Sequence, residues 1–130
     1  MPELPAVLDR FGERIPFNLE IKRGEHSEYD GLEMIVLEQV KSRGLLERTL
    51  FVFASDHGEE FLEHGQIKHC RGVWDTLTRV PLLYRFPGID GGHRIAGAVQ
   101  LVDVLPTVLD ILEIGWDGFT PEGTTLKPVL

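Results

Sequence analysis

The sequence predicts an α/β domain: a small, mostly parallel sheet containing a β-α-β unit, with flanking helices. Three observations carry that expectation. Phe17-Asn18-Leu19-Glu20-Ile21 alternates apolar and polar side chains, the period-two mark of a strand. Leu32, Ile35, Val36 and Val40 then recur at helical spacing, with Asp30 placed to cap the start and Gly44 to stop the end. Leu50-Phe51-Val52-Phe53-Ala54 follows as a continuous apolar run of the kind that forms a buried strand. Strand, helix and strand in direct succession imply a crossover connection and a parallel pair.

The remaining elements follow in order. Gly58 to Gly72 reads as a polar loop. Val80 to Phe86 reads as a second strand stopped by Pro87-Gly88, and 89–94 as a turn-rich loop. Ala98 to Leu101 reads as a short strand. Asp103 then caps a helix that turns Leu105, Val108, Leu109 and Leu112 inward and ends at Gly115. Pro106 falls in its first turn, where a missing N–H costs little. From Trp116 onward, Gly, Pro and Thr predict an irregular tail. Trp74, Leu77 and Leu83 are expected in the core.

At 130 residues the chain makes one domain with a modest core. Its net charge of −8 comes from 21 acidic against 13 basic residues, and the basic residues form no stripe. A phosphate-backbone surface is therefore not expected, and no nucleic-acid partner. One cysteine excludes an internal disulfide. Neither a signal peptide nor a membrane span is legible, so a cytoplasmic location is the default expectation.

The chemistry concentrates in Ser55-Asp56-His57-Gly58-Glu59-Glu60. An apolar strand ends here in a carboxylate and an imidazole, at the position where open α/β sheets bind ligands. Oxygen and imidazole donors suit a divalent cation, so Asp56 and His57 are candidate metal ligands. The plainer alternative is a helix-capping Asp beside a solvated His. Lys68 and His69 are candidate catalytic residues, either of which could contact an anion or protonate a leaving group. Glu59, Glu60 and Glu63 read as a solvated acidic face. His64 reads as structural support for the loop, and Cys70 carries little claim to be a nucleophile.

Several short runs occur in a telling order. Arg43-Gly44-Leu45-Leu46-Glu47-Arg48-Thr49-Leu50 leads into Phe53-Ala54-Ser55-Asp56-His57-Gly58-Glu59-Glu60. Glu63-His64-Gly65, Val73-Trp74-Asp75 and Thr78-Arg79-Val80-Pro81-Leu82-Leu83 come next. Phe86-Pro87-Gly88 and Gln100-Leu101-Val102-Asp103-Val104-Leu105-Pro106-Thr107-Val108-Leu109-Asp110-Ile111-Leu112 close the series. Over about residues 43–130 the chain thus resembles the C-terminal part of a sulfatase catalytic domain, of the alkaline-phosphatase-like superfamily. The resemblance implies a metal-dependent sulfuric ester hydrolase using calcium, magnesium or manganese. It also implies metal contacts from Asp56 and His57, an anion contact from Lys68 or His69, and a small sulfate or phosphate ester as substrate. The family's nucleophile, a Cys or Ser in a C/S-x-P/A-x-R motif, has no counterpart in this sequence, since Cys70 is followed by Arg71-Gly72-Val73. The expectation is an incomplete catalytic domain without turnover of its own. A fragment of this kind exposes sheet edges, so self-association is a further expectation.

Upstream, Ile15-Pro16-Phe17-Asn18-Leu19-Glu20-Ile21-Lys22, then Tyr29-Asp30-Gly31-Leu32-Glu33, then Val40 to Arg48, resemble a glycerophosphodiester phosphodiesterase segment over about residues 5–50. That resemblance implies a metal ligand at Glu20 and a phosphate contact at Lys22. A joined chimera, a diverged sulfatase and a truncated reading frame are all compatible with the two resemblances. A non-catalytic α/β interaction module is the alternative that needs no chemistry.

Overall fold

The computed structural model describes residues 3–11, 31–69, 71–89 and 91–130. The chain divides into two compact units, Met1–Thr49 and Leu50–Leu130. The expected strand at 17–21 lies outside the described residues, as do Glu20, Lys22 and Asp30.

In the first unit, α1 spans Leu4–Phe11 and α2 spans Leu32–Ser42, followed by a 3-10 turn at Leu46–Arg48. Helix α2 starts after Gly31, which takes φ 83 and offers no side-chain cap. Its end follows the sequence closely. Gly44, at φ 66, donates to Lys41 O at 3.0 Å, and Leu45 N donates to Val40 O at 3.1 Å. These two bonds satisfy carbonyls that the helix leaves open, and Val40 and Leu45 are both buried beside them. The inward stripe is only partly as expected: Val40 is buried, but Ile35 is 56% exposed. Arg43 Nε donates to Asp9 Oδ1 at 2.7 Å, tying the end of α2 to α1.

In the second unit, β1 is Phe51–Ala54 and pairs with β4, Leu82–Arg85. The pair is antiparallel, with Phe53 opposite Leu83 and Val52 opposite Tyr84. The only other described strand pair, β2 (Glu60–Phe61) with β3 (Ile67–Lys68), is antiparallel too. Among the described residues the fold is therefore mixed α/β with antiparallel pairing, and the expected mostly parallel sheet is corrected. The reason is local: the chain leaves β1, makes a hairpin and a short helix, and returns along β1 in the reverse direction.

The β2–β3 hairpin stands where a loop was expected. Leu62 N donates to Gln66 O at 2.8 Å to close it. After it comes α3, Asp75–Thr78. The expectation of a buried β1 also fails. Phe53 is 63% exposed and Leu83 56%, so one face of the β1–β4 pair is open and apolar. Leu82 and Tyr84, on the other face, are half-buried. Leu77 is core as expected, whereas Trp74 is half exposed. Among the described residues the buried Tyr84 hydroxyl has no partner in hydrogen-bonding geometry, and its burial outweighs the opposing effect of the Thr107 hydroxyl and raises its pKa above the ordinary 10.0.

Residues 98–100 are not a strand, and Leu101–Asp103 forms a 3-10 turn. The Asp103 carboxylate is the cause: it accepts from Gln100 N at 2.8 Å, a local bond that competes with extended structure. Helix α4, Val104–Ile111, holds Pro106 in its first turn as expected. Pro106 and Thr107 are its buried residues, while Leu105 and Leu112 lie on the exposed side. Its end is set by Glu113 at φ 55 and not by Gly115.

The tail from Trp116 is largely irregular but firmly tied. Thr124 N donates to Asp103 Oδ1 at 2.9 Å, and Leu126 N to Thr107 Oγ1 at 2.9 Å. Thr125 Oγ1 donates to Asp110 Oδ2 at 2.8 Å, and Lys127 Nζ to Asp110 O at 2.7 Å. Leu126 is buried as a result. Side-chain oxygens of α4 and of the turn before it thus satisfy the tail's backbone donors, where strand pairing would otherwise do so.

Candidate metal and anion site

Strand β1 delivers Ser55, Asp56 and His57 to a tight turn. Ser55 Oγ donates to His57 O at 2.7 Å, and Asp56 Oδ1 accepts from His57 N at 3.0 Å. These short-range bonds hold the two candidate ligands in one conformation. Gly58 makes the next step feasible. Its N–H donates to Leu77 O at 2.8 Å, and a Cβ there would lie 1.9 Å from Thr76 O. Only glycine lets the Asp-His turn press against α3.

Behind the turn sits a polar knot. Glu60 is fully buried. Its carboxylate accepts from the Thr76 hydroxyl on one oxygen and from His64 Nδ1–H, at 2.8 Å, on the other. A carboxylate partner requires that nitrogen to carry the proton. The His64 ring stacks on Trp74, 4.1 Å between centroids and 8° from parallel. His64 is therefore structural support, as the sequence suggested. Glu60 is not part of a solvated face: it is the anchor between the hairpin and α3.

That anchor fixes where β3 ends, and with it Lys68 and His69. His69 Nδ1–H donates to Glu59 Oε1 at 2.6 Å. Its ring stacks on His57 at 3.8 Å, 27° from parallel. Two histidines twelve positions apart thus lie face to face, with Glu59 beside both; His57 Nδ1 is 3.9 Å from Glu59 Oε1. On the other side, His57 Nε2 is 3.8 Å from Asp56 Oδ1. His57 Nδ1 also lies 2.9 Å from Gly58 O, which fixes the proton on Nδ1 and leaves the Nε2 lone pair toward Asp56. Lys68, at φ 76 and exposed, ends β3 opposite Glu60 in the ladder.

Of the six candidate residues, Asp56, His57 and His69 are brought together, with Lys68 adjacent in sequence. Glu20 and Lys22 lie outside the described residues. Glu59 and Glu60 are the functional neighbours that sequence reading passed over. Glu60 and His64, four residues apart with apolar Phe61 and Leu62 between them, carried the only available hint.

The sulfatase family model matches residues 26–114, more than half of the chain. The chain belongs to the sulfatase family. Arylsulfatase K from Homo sapiens is 41% identical over 70 residues, covering 54% of this chain and 13% of that protein. Arylsulfatase K from Xenopus laevis is 40% identical over 85 residues, 65% of this chain and 16% of that protein. The Danio rerio protein of that name is 35% identical over 104 residues, 80% of this chain and 20% of that protein. The chain thus spans a fifth or less of the length of these relatives. The family match starts at 26 and so takes in much of the segment that resembles a phosphodiesterase; Glu20 and Lys22 fall before it.

Proposed function

We propose that this chain supplies the C-terminal part of the catalytic domain of a metal-dependent sulfuric ester hydrolase. Asp56 and His57 are its metal ligands, and Lys68 and His69 its anion contacts. The observation that carries the reading is the Asp56-His57 turn at the end of β1 with His69 stacked on His57. The donor set fits a divalent ion. A carboxylate oxygen and an imidazole nitrogen 3.8 Å apart can share one ion, while its remaining coordination positions need other groups.

An ion held there would polarise an ester oxygen of the substrate and stabilise the charge that develops in transfer. The protein's own residues do the rest. Gly58 O keeps the His57 proton on Nδ1, so Nε2 stays free to bind. Glu59 holds His69 by Nδ1, which leaves Nε2 to meet a sulfate oxygen or to protonate a leaving group. The exposed Lys68 ammonium adds positive charge for the same oxyanion. With no C/S-x-P/A-x-R motif in the 130 residues, this part binds and does not turn over.

The test is binding without catalysis. Sulfate or an aryl sulfate, added with calcium, magnesium or manganese, should shift the ring NMR signals of His57 and His69, and less so in Lys68→Ala. Hydrolysis should stay at the blank. Unmoved histidine signals with every metal would refute the reading.

A further inference from the structure

The exposed side of α4 continues into a groove. Leu105 and Leu112 are seven positions apart, so they share one side of the helix, and they are 49% and 48% exposed. Leu101, Val102, Leu105, Phe119, Pro121 and Glu122 line a groove of about 390 Å3 that opens to solvent. Ligand sites run from about 300 to 1,000 Å3, so this one has room for one or two bulky apolar side chains.

The walls of the groove are held without an occupant. A Cβ on Gly123 would come 2.2 Å from Val102 O, so only glycine lets the tail lie so close to the 3-10 turn. The buried Asp103 carboxylate accepts from Gln100 N on one oxygen and from Thr124 N on the other, which ties the same turn to the tail. Phe119 N donates to Trp116 O at 3.0 Å, and that turn presents Asp117 two residues before the apolar wall. A preformed groove spares a ligand the cost of ordering it.

The rim has one sign. Between Arg94 and Lys127 the sequence holds no basic residue. Asp103 and Asp110 in that interval are engaged by the tail, whereas Glu113, Asp117 and Glu122 are exposed, and Glu122 lines the groove itself. An apolar floor edged by carboxylates complements an amphipathic helix with a basic polar face. The leucine row along α4 suits the ridge of another helix. A second copy of this chain does not supply one: none of α1 to α4 carries more basic than acidic residues.

We propose that the groove between α4 and the tail docks a basic amphipathic helix of a partner protein. One apolar side chain of that helix sits among Leu101, Leu105 and Phe119, with a Lys or Arg against Glu122. The surface shares no residue with the metal and anion site.

The experiment titrates the full chain into a fluorescently labelled Leu/Lys amphipathic helix and, separately, into its Leu/Glu counterpart, and reads anisotropy. The Leu/Lys peptide should bind one per chain, and the Leu/Glu peptide at least about tenfold more weakly. Leu105→Asn removes a central apolar contact and should weaken binding by about tenfold. Glu122→Lys should weaken it by at least about threefold, whereas Glu33→Lys on α2, with the same change in net charge, should leave it within about twofold. Circular dichroism checks the fold of each variant, and Phe119→Ala replaces Leu105→Asn if the latter unfolds. No binding, equal binding of both peptides, or equal losses in Glu122→Lys and Glu33→Lys would overturn the proposal. So would self-association of the chain that Leu105→Asn abolishes, which would make a second copy the occupant.

Discussion

Glu60 is the residue on which the site geometry depends. A buried carboxylate is tolerated when its oxygens are satisfied, and here Thr76 and His64 satisfy one each. Truncation leaves His64 and Thr76 without their acceptor, so Glu60→Ala should cost about 3 kcal/mol in a urea melt, the lower end of the range for a broken buried pair because His64 is part-exposed. The same variant should separate the His57 and His69 ring signals, since the Glu60 carboxylate ties the hairpin to α3 through Thr76. A melt within error of wild type would remove Glu60 from this role. The position of Asp56 and His57 at the end of β1 was legible in the sequence because an apolar run ending in Asp-His is a local pattern. Glu59 and Glu60 were not, because adjacent glutamates have the same chemistry and only the hairpin turns one inward and the other toward His69.

At the scale of elements, two helix ends show what local sequence does and does not reveal. Both α2 and α4 close with the same pair of reversed backbone bonds: Gly44 to Lys41 and Leu45 to Val40 in α2, Glu113 to Asp110 and Ile114 to Leu109 in α4. Gly44 takes the left-handed conformation without strain and could be recognised in advance. Glu113 takes it at φ 55 with a side chain, so attention fell on Gly115, two residues too late. Glu113→Gly should therefore stabilise the chain by about 0.5–1 kcal/mol, the left-handed penalty less the added freedom of the unfolded glycine; a lower melting temperature would refute this.

The tail clamp on α4 adds a pH dependence. The Thr125 hydroxyl first, then the Lys127 ammonium, outweigh the opposing effect of burial and hold the Asp110 carboxyl below its ordinary 3.8. A depressed carboxyl contributes stability above its unfolded pKa and loses it as pH falls through the folded one. Asp110→Asn should thus be less stable than wild type at neutral pH, with the difference closing as the pH falls below the ordinary 3.8. A constant difference across that range would mean that the charge plays no part. The tail was read as irregular because its contacts are between side chains and backbone donors, which leave no periodicity in the sequence.

For the whole molecule, the open face of the β1–β4 pair matters most. Phe53 and Leu83 face each other across the ladder and are both more than half exposed. An apolar run of this kind was read as a buried strand, and in the chain as described it is not. Sedimentation should show concentration-dependent association that Phe53→Lys or Leu83→Lys reduces. A monomer at every concentration would count against it. The α/β composition and the family were legible because the motifs keep their order along the chain. Strand direction was not, because the neighbour of β1 is set by a return path of twenty-seven residues from Ser55 to Pro81.

The central claim is that the Asp56-His57 turn is a folded half-site for a divalent metal. Its most direct test is a thermal melt followed by circular dichroism, with and without millimolar calcium, magnesium or manganese, beside Asp56→Ala. An ion bound only by the native chain at about 100 times its dissociation constant adds roughly 2.7 kcal/mol. The account expects a cooperative melt that rises with at least one of these ions and does not rise in Asp56→Ala. A cooperative melt blind to all three, or one that rises equally in the variant, would contradict it.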